Sequence, residues 1–419
     1  MSKTIIIIGA GLAGLSAALQ AAENGCNVKL VSSLPSERAQ SVMAEGGINA
    51  ALNTKDENDS PEEHFTDTIK AACGLADPNA VWGMTQAAPE LVHWLLKLGV
   101  KFNMSGYDDV DLRNFGGQKK KRTAFAQSDT GKQIMTAMID AVRRKEASGM
   151  VERFSHHSFL TLRLCGNICC GCVIRDEYSQ ETVELPGDAV IVATGGMHGL
   201  FGNTTGSLSN TGEVTAELFR LGVPLTNSEM IQYHPTTVKC GGKRMLISEA
   251  ARGEGGRLFA MKDGKQWYFM EEKYPELGNL MPRDITAREI WKVSHESEVF
   301  LDMTEISEEI ISNKLSGLAD DCMTYLHKDI RKEPVSVLPG IHYFMGGILV
   351  DEQHRTPIQN LYAAGECCAQ YHGANRLGGN SLLGALYGGR VAAKSACEQA
   401  DVVDLSCAVS YTHLRAHET

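Results

Sequence analysis

Short runs of apolar and mostly β-branched residues recur along the chain, and several of them end in glycine. Residues 5–8 form the first run. A glycine-rich turn, an Ala- and Leu-rich stretch and the stop signal Asn24-Gly25 follow, and residues 27–33 form the second run. A continuous apolar run is typical of a strand buried on both faces. Because a strand–helix–strand crossover is right-handed and joins parallel strands, we predict a parallel βαβ unit here.

Two later runs have the same character. Residues 188–196 end in two glycines, and residues 358–366 end in Gly-Glu. The stretch between them that covers residues 236–339 is more charged, has amphipathic segments and contains no buried β run that ends in glycine. We therefore predict an α/β protein in which one domain is interrupted by another. The first domain comprises residues 1–233 and 341–403, and the insertion comprises residues 234–340.

The end of the chain has an unusual polar sequence. Residues 409–419 resemble an in-frame translation of a transposase adapter used in sequencing libraries. We expect this tail to be non-native and the natural chain to continue past residue 408, although a genuine polar C-terminus is the alternative.

Composition and charge narrow the class of protein. The 419 residues suffice for two or three domains, and 43% hydrophobic with 22% charged residues is ordinary for a soluble globular protein. A net charge of −11 argues against non-specific nucleic-acid binding. The sequence contains no run of about 18 apolar residues, so no membrane span is predicted. The glycine-interrupted N-terminus lacks the cleavage region of a signal peptide. We expect a cytoplasmic protein.

The twelve cysteines show no regular framework, which favours a reducing compartment over a disulfide scaffold. Cys165, Cys169, Cys170 and Cys172 form a cluster in which Cys169-x-x-Cys172 has the spacing of a metal-binding pair. A second pair would be needed to complete four ligands, and none lies nearby. Buried thiols on a β-hairpin are the favoured interpretation, so no metal site is predicted.

The glycine-rich turn after the first run carries a nucleotide-binding pattern. Gly9 permits a tight turn, Gly11 lets the backbone approach a pyrophosphate, and Gly14 lets helix and strand pack closely. The pattern is weak alone, and a glycine turn without a ligand is the alternative, but its place between strand and helix supports it. The second run ends in Ser32 and Ser33 where a ribose-binding carboxylate is usual. A serine hydroxyl is a weaker partner for the ribose.

The two later runs favour FAD over NAD as the cofactor, because a short NAD domain does not need distant segments to close its site. Residues 190–212 form a polar, glycine-rich loop that could surround an extended cofactor. Residues 363–390 place Glu366 at a strand end, where it could accept a ribose or ribityl hydroxyl. They also provide Asn380 or Ser381 as a helix N-cap beside the flavin ring.

Eight motifs occur in one order between residue 5 and about residue 400: GAGLAGLSAA, AEGGINAAL, FGGQKKKRTAF, QYHPT, SEAARGEGG, MPRDI, HYFMGG and GANRLGGNSLL. In these motifs the sequence resembles the flavoprotein subunit of fumarate reductase and succinate dehydrogenase, a family that includes L-aspartate oxidase. The resemblance implies a Rossmann-like FAD-binding domain with an inserted α+β capping domain and a C-terminal helical domain, which we expect to be missing here. The expected FAD contacts are Gly9, Gly11, Ala13, Gly14, Ser32, Ser33, Gln40, Ser41, Gly46, Gly47, Ala193, Thr194, Gly195, Glu366, Asn380, Ser381 and Leu382.

The family reaction transfers a hydride between flavin N5 and a carbon of a C4 dicarboxylate, with a proton at the neighbouring carbon. The resemblance implies that Arg283 is the proton donor and that Glu249 and Arg252 reprotonate it. An arginine acid is plausible because the protonated species has carbanion character and is more basic still. Glu249 and Arg252 are three residues apart, so they share a face if their segment is helical.

The two substrate carboxylates need fixed cationic or hydrogen-bonding partners. The resemblance assigns Arg376 and His342 to one carboxylate, and a planar guanidinium suits bidentate binding. It assigns His234 and Ser248 to the other. Each residue alone has a structural interpretation, such as a turn cap or a surface ion pair, and only the family order of the motifs favours a site.

Residues 119–122 form a basic run near the expected site entrance. The run is either a solvated charge cluster or a device that steers anionic substrates. Because L-aspartate oxidases carry a carboxylate in this neighbourhood, a cationic run disfavours an amino-acid substrate. L-aspartate oxidase, a reductase of another enoate such as urocanate, and a flavin-binding module without catalysis remain the alternatives.

Gln40 bears on the direction of the reaction. Many succinate dehydrogenase and fumarate reductase relatives carry a histidine that bonds covalently to FAD, and the motif RAQSVMAEGG places Gln40 at that position. An amide cannot form this link, so we predict non-covalent FAD. In the family, covalent linkage accompanies the higher flavin potential that succinate oxidation requires, so Gln40 favours fumarate reduction. An iron–sulfur subunit is a possible partner and would place the protein peripherally on the cytoplasmic face of a membrane.

Overall fold

The computed structural model describes residues 2–400; residues 401–403 of the predicted first domain and the tail 409–419 lie outside this range. The helices within it are α1 Leu12–Glu23, α2 Pro61–Ala71, α3 Pro78–Lys97, α4 Thr130–Ala147, α5 Glu213–Arg220, α6 Glu249–Gly253, α7 Phe269–Lys273, α8 Arg283–Val293, α9 Glu308–Lys314, α10 Ser316–Asp321 and α11 Asn380–Gln399. A π-helical turn, Cys322–Leu326, follows α10.

The strands are short, and most of them belong to small sheets. They are β1 Thr4–Ile8, β2 Asn27–Ser32, β3 Ile48–Asn49, β4 Leu112–Arg113, β5 Thr123–Ala124, β6 Val151–Ser155, β7 His157–Cys165, β8 Ile168–Asp176, β9 Thr182–Pro186, β10 Ala189–Val192, β11 Leu225–Thr226, β12 Ile231–Cys240, β13 Lys243–Leu246, β14 Arg257–Lys262, β15 Lys265–Trp267, β16 Val299–Asp302, β17 Val335–Ser336, β18 Leu338–Phe344, β19 Gly347–Leu349, β20 Leu361–Ala363 and β21 Cys368–Ala369.

The four predicted buried strands lie side by side in one parallel sheet with the order β20-β10-β1-β2-β6. The prediction of a parallel βαβ start is therefore confirmed. Alternation along β1 explains its continuous apolar run. Ile5 and Ile7 pack into the cluster formed with α1, α4 and α11, whereas Ile6 and Ile8 pack into a second cluster on the opposite face.

The opposite face is covered by the antiparallel sheet β7-β8-β9. Cys169, Cys170 and Cys172 lie on β8 with 0% exposure, as predicted for thiols on a β-hairpin. Cys165, at the end of β7, is half-buried instead. Burial raises the pKa of the Cys169 thiol to about 12, so this thiol is protonated and serves as an apolar packing group.

The inserted segment, residues 234–340, has a core of its own. The sheet β15-β14-β16-β17 and the helices α7 to α10 surround a cluster that extends from Ile247 to Val337. Leu258 and Leu301, on paired strands of this sheet, are fully buried, and neither strand ends in glycine, in agreement with the α+β insertion that was predicted. The sheet β13-β12-β18 spans the predicted boundaries of the segment at both ends.

Candidate active site

A cavity of about 880 Å³ lies between the ends of the central strands and the inserted segment. Its size is typical of a ligand site. Fifteen of the predicted cofactor contacts line it: Gly9, Gly11, Ala13, Ser32, Ser33, Gln40, Ser41, Gly46, Gly47, Ala193, Thr194, Gly195, Glu366, Ser381 and Leu382. The predicted chemical residues that line it are His234, Ser248, Glu249, Arg283, His342 and Arg376. One cavity thus joins both predicted groups.

The nucleotide-binding turn has backbone contacts that only glycine permits. Gly9 has φ +110°, and a Cβ atom there would lie 2.2 Å from the Ala193 carbonyl oxygen. A Cβ on Gly14 would lie 1.8 Å from the Gly9 carbonyl oxygen, so Gly14 acts in helix–strand packing and does not line the cavity. Gly11 caps α1 without a side-chain hydrogen bond. The first turn of α1 lines the cavity, with the Leu12 N–H donating to Ser41 Oγ at 3.3 Å, and a helix N-terminus at this place suits a phosphate.

Arg283 is held at the cavity wall by a buried carboxylate. It is the first residue of α8, and its Nε and Nη2 donate to Glu249 Oε2 at 2.8 Å and 2.7 Å. Arg252 Nη2 donates to the other oxygen of Glu249 at 3.2 Å. The segment of Glu249 and Arg252 is helical, and the two form the predicted i, i+3 pair. Burial alone would raise the pKa of Glu249, but the two arginines outweigh it and hold that pKa below its usual value.

Arg252 lies behind the cavity wall and does not line it. Its Nη1 donates to the Asn279 carbonyl oxygen at 2.6 Å. Burial lowers the pKa of Arg252, which makes this guanidinium a better proton donor than one in water. Arg283, Glu249 and Arg252 thus form a continuous hydrogen-bonded row from the cavity into the inserted segment.

Gln232 was not identified from the sequence, although it begins the quoted motif QYHPT. Its Oε1 accepts from Arg283 Nη1 at 3.2 Å and from Arg376 Nη2 at 3.0 Å. Its Nε2 donates to the Arg376 carbonyl oxygen at 2.7 Å, which fixes the orientation of the amide. One buried oxygen therefore sets the spacing between the two guanidiniums.

The other predicted substrate contacts surround these arginines. The Arg376 guanidinium lies 4.4 Å over the Tyr343 ring, and its Nε has no acceptor within the described part of the chain. The rings of His234 and His342 are 5.0 Å apart. Burial, with Arg283 as the next cause, lowers the pKa of both histidines well below the usual value, so both rings are neutral at pH 7. Ser248 caps α6 and accepts from the Ala250 N–H at 3.4 Å.

The basic run at residues 119–122 is not a free cationic patch. Arg122 is fully buried and bound to Asp59 and Asp67 at 2.8 Å and 3.0 Å. Lys120 donates to a backbone carbonyl oxygen of residue 58, and Lys121 contacts Glu57 at 3.7 Å. This weakens the argument from the run for substrate steering and against an amino-acid substrate.

Residues 4–382 match the protein family described as "FAD binding domain". The succinate dehydrogenase flavoprotein subunit of Bacillus subtilis is 42% identical over 99% of this chain and 73% of that protein. The chain belongs to this FAD-binding family.

Two further comparisons also match flavoproteins. L-aspartate oxidase of Streptomyces coelicolor is 34% identical over 94% of this chain and 68% of the relative. A solved structure of E. coli quinol fumarate reductase FrdA, a Glu→Gln variant, matches with a TM-score of 0.90 and 29% identity over 100% of this chain and 73% of that chain. The predicted fold class and cofactor are confirmed: the protein is an FAD-dependent oxidoreductase with a Rossmann-like FAD-binding fold.

A buried hydroxyl in the cavity independently supports FAD binding by this protein. Ser32 is 8% exposed at the end of β2, lines the cavity, and its hydroxyl has no partner in the described structure. A buried hydroxyl without a partner costs free energy unless a ligand satisfies it. A ribose hydroxyl at this strand end would do so, in agreement with the position predicted for Ser32.

Two predicted contacts have different surroundings from those expected. Neither Asn380 nor Ser381 is the helix cap, because α11 is capped by Gly379 at φ 85°, where a Cβ atom would clash with Asn49 Oδ1. The Asn380 side chain is instead bound to Asn49, His64 and Thr68 away from the cavity. The close approach of Asn49, which requires glycine at the cap, could not be inferred from composition.

Glu366 does line the cavity, but one of its oxygens is engaged. Oε1 accepts from the Phe344 N–H at 3.0 Å and lies 3.1 Å from His198 Nε2. His198 is fully buried, and its Nδ1 lies 2.7 Å from Thr204 Oγ1. His198 therefore orients Glu366 for a cofactor hydroxyl, and no sequence pattern indicated this role.

Within residues 2–400, no three His, Cys, Asp or Glu side chains are placed so that they could hold a metal ion. In the same range no helix has the length and apolar character needed to cross a membrane.

Proposed function

We propose that the protein interconverts fumarate and succinate, with fumarate reduction as the favoured direction. The observation that supports this most is the arrangement at one end of the cavity. Arg283, Arg376, His234 and His342 line the same wall, and Glu249 holds Arg283 in a bidentate contact. Bound FAD would supply the hydride, and the residues of the chain would bind the dicarboxylate and deliver the proton.

Two sets of side chains suit the two substrate carboxylates. Arg376 has an Nε donor without a partner among residues 2–400 and a guanidinium fixed by Gln232 and Tyr343, which favours charge-assisted binding of one carboxylate together with His342. The Ser248 hydroxyl and the neutral His234 ring suit the second carboxylate. A rigid dicarboxylate would then lie with its central carbons facing Arg283, in the geometry needed for proton transfer.

Arg283 is the proposed proton donor, and Glu249 is the group that returns a proton to it. The bidentate contact places a carboxylate oxygen within 2.8 Å of two guanidinium nitrogens, so a proton can move along an existing hydrogen bond. Arg252 on the other oxygen of Glu249 continues the row away from the cavity. The geometry supports a relay in the order Arg252, Glu249, Arg283.

Anaerobic flavin spectroscopy tests this function. The purified holoprotein is reduced with dithionite in stoichiometric amount, and fumarate is then added. We expect fumarate to restore the absorbance of oxidised flavin and to yield succinate. Flavin that remains reduced in the presence of fumarate, in protein with a full FAD content, would contradict the proposal.

L-aspartate oxidation is the second candidate function, since Lys120, Lys121 and Arg122 of the basic run have partners and an L-aspartate oxidase is among the relatives. In this case L-aspartate should reduce the oxidised flavin, whereas succinate should not. Urocanate in place of fumarate tests the reductase of another enoate.

The linkage of FAD is tested by acid denaturation. Gln40 lies in the turn Gln40–Met43 and lines the cavity, and its amide cannot form a covalent bond to the flavin. We therefore expect acid precipitation to release all FAD into the supernatant. Flavin that stays with the precipitated protein, in a peptide containing residue 40, would refute non-covalent binding.

Two observations bear on direction and point in opposite ways. Gln40 favours fumarate reduction, whereas a relative 42% identical to this chain is named a succinate dehydrogenase. Rates in both directions, measured on the same preparation, decide between them.

We further propose an iron–sulfur subunit as the electron partner, which would place the protein on the cytoplasmic face of a membrane. Co-purification of such a subunit with the full chain tests this proposal.

A further inference from the structure

Two cysteines from opposite ends of the chain meet at the base of the FAD-binding domain. Cys26 lies between the end of α1 and the start of β2, and Cys397 lies in the last turn of α11. Their Sγ atoms are 3.0 Å apart, and neither cysteine is in a disulfide. The contact involves none of the cavity residues, so it does not depend on the function proposed above.

The surroundings differ for the two thiols. Cys26 is 5% exposed and packs in the large cluster that includes α1 and α11, whereas Cys397 is half-buried at the edge of that cluster. Lys3 Nζ donates to the Cys397 carbonyl oxygen at 2.7 Å, which ties the end of α11 to the start of β1. Cys397 is therefore the more exposed of the two residues, and Cys26 is fixed beside it.

We propose that Cys26 and Cys397 form an oxidisable dithiol, which a hydroperoxide converts into an intramolecular disulfide. The Cys397 thiolate attacks a peroxide oxygen, the O–O bond breaks, and the leaving oxygen takes up a proton. The Cys26 sulfur then attacks the sulfenic sulfur of Cys397, the S–O bond breaks, and water leaves with the Cys26 proton. The two thiols lose two electrons and the peroxide gains two.

The contact requires little movement to become a bond. A disulfide has sulfurs about 2.05 Å apart, the two Sγ atoms are already 3.0 Å apart, and both side chains pack in or against one hydrophobic cluster. The bond would close a loop that contains most of the chain, so it would restrict the unfolded state strongly. Its effect is therefore expected on stability.

The disulfide would lie far from the cavity. Ser381 and Leu382, at the first turn of α11, line the cavity, whereas Cys397 is in its last turn. A helix of 20 residues is about 30 Å long. The turnover number is therefore expected to be the same in the oxidised and reduced forms.

The reaction should accelerate with pH. Burial and the contact with Cys26 raise the pKa of the Cys397 thiol, Glu398 acts in the same direction, and Lys3 acts against them. Because the thiolate is the nucleophile, a raised pKa keeps the pair mostly unreactive at neutral pH and makes oxidation faster as pH rises.

Peptide mapping of the holoprotein tests the proposal. The protein is treated with hydrogen peroxide, free thiols are blocked with N-ethylmaleimide, and the digest is analysed without reduction. We expect a disulfide-linked pair of peptides containing Cys26 and Cys397 that disappears after dithiothreitol. The same treatment should raise the midpoint of thermal unfolding of the wild-type protein by a few degrees.

Matched variants separate this site from the other thiols. Cys26→Ser and Cys397→Ser should give neither the linked peptides nor the peroxide-dependent rise in the unfolding midpoint. Cys73→Ser, which removes an exposed thiol, should retain both. Oxidation of wild-type Cys397 to a sulfinic acid without a linked Cys26 peptide would overturn the proposal. An equal rise in the midpoint of Cys26→Ser would overturn the stabilising role.

Discussion

Replacing Arg283 with alanine is expected to lower kcat for fumarate reduction by about 10³-fold or more while FAD stays bound. The expected loss is this large because the guanidinium is the proposed proton donor, and the hydrogen-bonded row from Arg252 and Glu249 ends on it. Steady-state kinetics and the flavin absorbance of the purified variant measure the two parts of the prediction.

Arg288→Ala is the matched control for this variant. Arg288 lies on the same helix, α8, but its side chain is exposed, so its removal should leave kcat within a factor of about two. Arg283→Lys keeps a positive charge but not the bidentate fork, and it should remain strongly impaired. Turnover by Arg283→Ala close to that of Arg288→Ala would exclude the proton-donor role.

Replacing Glu249 with glutamine is expected to affect both activity and stability. The change removes the negative charge between two buried guanidiniums, each within 3.2 Å of it. We expect the free energy of unfolding to fall by about 3–5 kcal/mol, because two buried charges lose their partner. We expect kcat to fall by about 10²-fold or more, because the amide cannot return a proton to Arg283.

The control for Glu249→Gln is a carboxylate in a comparable pair at the surface. Glu271 is in contact with Arg257, and their side chains are 37% and 42% exposed. Glu271→Gln should lower the free energy of unfolding by about 0–1 kcal/mol and leave kcat unchanged. Denaturant unfolding and fumarate kinetics are measured for both variants. Equal losses in the two would contradict a special role for Glu249.

The central sheet was predictable because its strands carry a local signal. β1, β2, β10 and β20 are largely buried and rich in apolar, mostly β-branched residues, and this is visible in the sequence without any knowledge of their partners. The strands of the inserted segment carry no such local signal, because exposed charges interrupt them, and only the family resemblance indicated an α+β insertion. β14 ends in exposed residues, which hides its buried centre.

Site residues could be predicted from the sequence only where they belong to a recognisable motif. Arg283, Glu249 and Arg376 each belong to an unusual string, so the order of the strings identified them. Gln232 and His198 act through contacts with residues 51 to 168 positions away, and no spacing rule reports such contacts. Their roles follow only from the folded arrangement of the strands and loops.

The charges at the substrate end of the cavity match one ionic form of a ligand. Arg283, Arg252 and Arg376 contribute three positive charges and Glu249 contributes one negative charge, while the neutral rings of His234 and His342 contribute none. Burial lowers the pKa of Arg376 to about 9, which still leaves it charged at pH 7. Among these residues the excess is two positive charges, which the proposed dianionic substrate, fumarate, would neutralise. The ammonium group of aspartate would leave one of these charges uncompensated, so electroneutrality at these residues supports the proposed substrate with two carboxylates and no amine.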